Sequence, residues 1–111
     1  MNTNRAMHMT CESCERVKQF DIPNPSKLTD AIRYCRDLVS LGILTMSDYW
    51  PPRTSKFTST HWESLDDAGN WEDILQYYFE CTSCKSLFLL HADTYHGGGS
   101  FKRANTKSTP Y

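Results

Sequence analysis

The chain contains no apolar run long enough to span a bilayer, no phosphate-binding glycine loop and no concentrated stripe of basic residues. Each absence removes a class of function. A membrane span needs about 20 consecutive apolar residues, and a mean hydropathy of -0.60 argues the same way. A phosphate loop requires G-x-x-x-x-G-K-[ST] between a strand and a helix, and Gly97-Gly98-Gly99 followed by Ser100-Phe101-Lys102-Arg103 does not supply it. Lys and Arg total 12 against 13 Asp and Glu, a formal net charge of -1, so the chain lacks the field of a general nucleic-acid binder. No Ser-His-Asp arrangement can be argued from spacing. Asp66 and Asp67 are adjacent, which points their carboxylates apart instead of toward one substrate, so no catalytic residue is expected. The first nine residues, Met1 to Met9, are polar and lack the apolar core of a secretory signal, which implies the cytoplasm.

What is present is cysteine in a pattern. Cys11 and Cys14 form one C-x-x-C pair, Cys81 and Cys84 a second, and Cys35 stands alone. In a reducing compartment such pairs are metal ligands before they are disulfides. Two thiolates two residues apart wrap a metal from one tight turn, and a second turn completes a tetrahedral S₄ shell. The spacing therefore predicts one structural Zn²⁺ per chain on Cys11, Cys14, Cys81 and Cys84. Redox-active or free thiols are the alternative, but a thioredoxin-like pair needs a βαβ setting that neither motif has. His91 and His96 are spare candidate ligands, read here as exposed or hydrogen-bonded histidines. Four thiolates and one divalent cation would move the formal charge from -1 to -3.

Residues 15–80 separate the pairs, so the metal joins the two ends of one domain, residues 1–103, followed by a polar tail from 104 to 111. At 111 residues a single core is expected, near the size where a staple still helps. Asn24-Pro25 and Gly42 bracket a helix over about 25–41, with Leu28, Ala31, Ile32, Cys35, Leu38 and Val39 on one stripe. Cys35 reads as a small core hydrophobe. Gln76–Glu80 and Ser86–Leu90 read as strands flanking the second knuckle, with Lys85 where many knuckles carry glycine. Further expectations are an irregular hairpin over residues 8–20, a fold-back at Ile43–Met46 and a strand at Phe57–Trp62. A turn at 64–70, a helical turn at Trp71–Leu75, a glycine turn at 97–99 and a last strand near Ser100–Lys102 complete them. Together these predict an α+β fold, one main helix on a small antiparallel sheet with a Cys₄ site joining its N- and C-terminal parts.

Charge is uneven along this scaffold. From Phe57 to Cys84 there are six acids, Glu63, Asp66, Asp67, Glu72, Asp73 and Glu80, and no Lys or Arg. Trp62, Trp71, Tyr77 and Tyr78 are interleaved with them. Aromatic anchors beside charge of one sign suit a protein interface that steers a basic partner. The simpler reading is that the aromatics are core and the acids their solvated flank. The candidate partner-binding set is Glu63, Asp66, Asp67, Trp71, Glu72 and Asp73.

Tyr78-Phe79-Glu80-Cys81-Thr82-Ser83-Cys84, then Phe88-Leu89-Leu90 and Thr94-Tyr95-His96-Gly97-Gly98-Gly99, resembles the C-terminal half of small bacterial zinc-ribbon-like proteins. The Ile22-Pro23 entry to the helix is similar too. Such proteins often accompany toxins, so the resemblance implies an immunity role in which the chain binds a cognate toxin and covers its active site. It carries over Cys81 and Cys84 as metal ligands and no catalytic residue. The expected function is non-enzymatic binding of a basic toxin. The alternative is a zinc-ribbon module that binds nucleic acid through Lys18, Lys27, Arg33, Arg36, Lys102, Arg103 and Lys107.

Overall fold

The computed structural model describes residues 11–47 and 60–104. In chain order the elements are α1 (Glu12–Glu15), β1 (Phe20–Asp21), α2 (Pro25–Ser40), β2 (Leu44–Met46), a 3₁₀ turn (Trp62–Ser64), β3 (Ile74–Cys81), β4 (Leu87–Asp93) and β5 (Gly98–Ala104). The strands form one antiparallel sheet in the order β1-β5-β4-β3-β2. The chain thus lays β1 at one rim, crosses by α2 to the other rim at β2, and returns through β3, β4 and β5. This is the expected α+β architecture. It also brings the first and last described strands together.

Local sequence explains why α2 begins and ends where it does. Asn24 Oδ1 accepts the backbone N–H of Lys27 at 2.9 Å, satisfying one free donor of the first turn, and Pro25 sits where its missing N–H costs nothing. At the other end Gly42 adopts φ 79°, which turns the chain so that Gly42 N–H and Ile43 N–H reach the Val39 and Leu38 carbonyls. Leu28, Ala31, Ile32, Cys35 and Leu38 are buried. They share a core with Leu75, Tyr77 and Phe79 of β3, Phe88, Leu90 and Ala92 of β4, and Phe101 of β5. Strand register places these side chains on one sheet face, because Tyr77 pairs with Leu90 and Leu90 with Phe101. Phe101 is its centre. Its ring stacks on Phe88 at 5.8 Å and meets Phe79 edge-on at 6.2 Å.

Three local expectations are corrected. Of the hairpin expected at 8–20, residues 8–10 lie outside the described residues, and 11–17 form a helical turn instead, since the Cys11 and Cys14 carbonyls accept the N–H groups of Glu15 and Val17, both at 3.0 Å. The turn wins because it buries Cys14 and Val17 on one side. Of the strand expected at 57–62, residues 57–59 lie outside the described residues, and Trp62 opens the 3₁₀ turn instead. Its indole is drawn into the core, edge-on to Tyr77 at 5.1 Å and to Phe79 at 5.0 Å. The helical turn expected at 71–75 is also absent, because Ile74 and Leu75 pair with Asp93 and Ala92 and already belong to β3. The triple glycine does close the β4–β5 hairpin, although Gly98 and Gly99 lie within β5. Apart from Ala104, the expected polar tail lies outside the described residues.

Candidate metal centre

The two cysteine pairs meet. Cys11 lies at the head of α1 and Cys14 within it, Cys81 ends β3, and Cys84 is in the turn before β4. Sγ of Cys11 is 3.7 Å from Sγ of Cys81, Sγ of Cys14 is 3.3 Å from Sγ of Cys84, and all four sulfurs lie within 4.8 Å of one another. The close contacts therefore run between the pairs. A tetrahedron with metal–sulfur bonds of about 2.3 Å has edges of about 3.8 Å, a length that lies within the range of separations found between the four sulfurs, so the donor set can close on one metal ion. Cys81 and Cys14 are buried, Cys11 is half-buried and Cys84 is exposed. The site is shut from the core side and open on one sulfur.

The second turn is shaped by its backbone. Cys81 N–H donates to the Ser86 carbonyl at 2.8 Å and Lys85 N–H to the Cys81 carbonyl at 2.9 Å. To close this loop Lys85 takes φ 69°, the left-handed conformation that glycine adopts without strain. Thr82 fastens the turn to the end of α2, its hydroxyl donating to the Gly42 carbonyl at 2.7 Å. Ser13 and Ser83 hydroxyls, 3.4 Å apart, join the two turns above the sulfurs.

Electrostatics divide the four thiols. Burial, then hydrogen bonds to the Cys84, Cys81 and Cys11 sulfurs, push Cys14 up to about 12. At Cys84 burial acts upward too, but the hydroxyl and backbone of Ser86, followed by Cys14 and Cys11, outweigh it and bring the thiol down to about 6. Of these two, Cys84 gives up its proton far more readily than Cys14. Cys35 stands apart in α2, fully buried and raised to about 12 by desolvation. It is core, as expected.

The histidines are not part of the cluster. His96 caps its own turn, its backbone N–H and ring Nδ1 reaching the Asp93 carboxylate at 2.9 and 2.8 Å. These hydrogen bonds hold Asp93 below the usual carboxylate range. His91 lies in β4 opposite Gln76, where burial lowers its pKa.

The acidic segment divides by use. Asp67 binds Arg33 at 3.1 Å and Arg36 at 3.5 Å, tying the loop to α2, and Arg36 also reaches the Leu65 carbonyl and lies over the Trp62 ring. Glu72 accepts the Thr60 N–H at 2.8 Å and hydroxyl at 2.6 Å, and the Thr60 carbonyl in turn accepts the Tyr77 hydroxyl at 2.6 Å. Trp71 is half-buried, its indole N–H donating to the Asp66 carbonyl at 2.6 Å. Trp62, Tyr77 and Tyr78 are buried. Glu63, Asp66 and Asp73 are exposed. Within the candidate partner set, then, three carboxylates face solvent while Asp67 and Glu72 secure the loop.

Two residues around the sulfurs were not tied to the cluster by the sequence, where Arg103 is read only as a cation of the nucleic-acid alternative. Ser86 Oγ lies 3.1 Å from Cys84 Sγ, and Arg103 Nη1 donates to the same hydroxyl at 2.9 Å. Position two after a cysteine is a local signal for Ser86. Arg103 has none, since its place depends on the register of β5.

Among the described residues no helix is long and apolar enough to cross a membrane. Comparison of the chain with protein-family models, curated proteins and solved structures found no match.

Proposed function

We propose that Cys11, Cys14, Cys81 and Cys84 hold one structural Zn²⁺, and that the chain is a cytoplasmic, non-enzymatic binding protein that acts as an immunity protein against a basic bacterial toxin. The meeting of four sulfurs from opposite ends of the chain carries the first part. An all-thiolate shell leaves no coordination position for substrate, so the metal serves the fold. Sulfur donors in a tetrahedral set suit Zn²⁺ over the oxygen-seeking Mg²⁺ and Ca²⁺.

The binding role draws its support from the loop between the 3₁₀ turn and β3. Asp67 and Glu72 anchor it, Trp62 pins it to the core, and Glu63, Asp66 and Asp73 stand outward on a backbone so fixed. A rigid, acid-bearing loop steers a cationic partner without ordering cost on contact. The nucleic-acid alternative is weakened by how its cations are spent. Arg33 and Arg36 serve Asp67, Lys102 pairs with Asp21 at 3.0 Å, and Arg103 serves Ser86.

The test is binding of the purified chain to the product of the adjoining reading frame, compared with the triple variant Glu63→Lys, Asp66→Lys, Asp73→Lys. Association should slow by about tenfold or more at low salt. An unchanged rate and affinity would remove the acidic surface from the interface. Retention on an oligonucleotide column with a steep salt dependence would favour the alternative.

A further inference from the structure

We infer that Arg103 and Ser86 form an outer brace that keeps Cys84 on the metal, an assignment that rests on the Cys₄ cluster binding a divalent cation. Cys84 is the exposed member of the set, the sulfur at which water and competing ligands meet the site. Its hold therefore governs how readily the ion leaves.

The direction of each hydrogen bond follows from chemistry. A guanidinium has donors only, so Arg103 Nη1 must donate to Ser86 Oγ, and a metal-bound thiolate has no proton, so Cys84 Sγ must accept. The Ser86 hydroxyl consequently accepts a hydrogen bond from Arg103 and donates one to Cys84 Sγ. The guanidinium polarises that hydroxyl and so strengthens its hydrogen bond to the sulfur. An S₄ shell around a divalent cation carries a net charge of -2, which a neighbouring guanidinium offsets.

Arg103 is itself placed from several sides. Its guanidinium lies 5.2 Å from the Phe88 ring centroid, and its backbone N–H donates to Gln19 Oε1 at 2.8 Å. Phe88 belongs to the buried core and Gln19 follows the turn that carries Cys11 and Cys14. The brace thus joins the sheet, the N-terminal segment and the second knuckle. Lys102, the neighbouring cation, goes to Asp21 and provides a control of equal charge.

The experiment measures Zn²⁺ affinity by chelator competition, and the sulfur-to-metal charge-transfer band with Co²⁺ as the probe ion, on the full chain. Ser86→Ala and Arg103→Gln should each weaken Zn²⁺ by about tenfold, within the range typical of outer-shell losses, and shift the Co²⁺ band. The double variant should be no weaker than the poorer single one, because the two act in series. Arg103→Lys should recover part of the loss and Lys102→Gln should match wild type. Should Arg103→Gln fail to fold, Ser86→Ala, which removes one oxygen, decides the matter through the band shift. Wild-type affinity and spectrum in both single variants, or losses that multiply in the double variant, overturn the brace and leave the metal centre standing. A wild-type chain that binds neither ion overturns both.

Discussion

The sulfurs of Cys11 and Cys81 lie 3.7 Å apart although 70 positions separate them in the chain. Such contact requires the turn at Glu12–Glu15 to dock on the end of β3. A metal bound there holds that docking from both sides. Chelation of the metal-loaded protein should therefore lower its melting temperature by many degrees, since structural zinc in small peptides is worth roughly 10–16 kcal/mol. Cys81→Ser should lose the metal. Full metal content in that variant, measured by elemental analysis, would refute the ligand set.

Metal affinity should rise with pH. Cys14 holds its proton up to about 12 in the metal-free cluster, so at any lower pH the ion must expel that proton. Cys84, held down to about 6, adds a further proton to be expelled only as pH falls through that value. The loss of affinity per pH step should steepen below about 6. Chelator competition across that range checks it, and a flat profile would contradict thiolate ligation.

Cys35 predicts a different pH limb. Its thiol is raised from 9.0 to about 12 by burial, so the folded state keeps it neutral where the unfolded chain ionises it. For a raised group the contribution is complete below the unfolded value of 9.0 and is lost as pH climbs toward 12. Stability should be level on this account below pH 9 and fall above it, and Cys35→Ala should flatten that fall. Denaturant midpoints across alkaline pH measure it. A thiol reagent should reach Cys35 only after unfolding, since it is 0% exposed.

The triple glycine separates packing from conformation. A Cβ at Gly99 would meet the His91 carbonyl oxygen at 2.3 Å and Ala92 Cα at 2.8 Å, both backbone atoms of the paired strand. Gly98 has open space there. Gly99→Ala should cost about 1–3 kcal/mol through overpacking of the β4–β5 ladder, and Gly98→Ala less than about 1 kcal/mol. Equal denaturant midpoints for the two variants would contradict this.

The elements legible in the sequence were those with a local cause. Asn24, Pro25 and Gly42 mark α2 by capping and turn chemistry, the second C-x-x-C marks its hairpin, and the two pairs together name the cluster. What could not be read depends on partners distant in sequence. Cys11–Cys14 lies in a helical turn because Cys14 and Val17 have a core to enter, and no preceding residue announces it. Trp71–Leu75 has helical spacing, yet the pairing of Ile74 with Asp93 decides for strand. Trp62 looked available for a partner until Tyr77 and Phe79 took its two edges. Asp67 could not be told from its neighbour Asp66 by sequence, and only the position of Arg33 separates their uses.

The side chain of Gln19 has a consequence for self-association. β5 is seven residues long, β1 pairs with only two of them, and such an unfinished margin invites another chain to add a strand. Here the vacancy is filled from within. Ile22 N–H takes the Gly99 carbonyl at 2.9 Å, β1 covers Ser100 and Phe101, and Gln19 Oε1 occupies the N–H of Arg103 as an incoming strand would. An amide side chain thus does the work of a missing length of backbone, and at this rim the Arg103 N–H is already satisfied before any second molecule arrives.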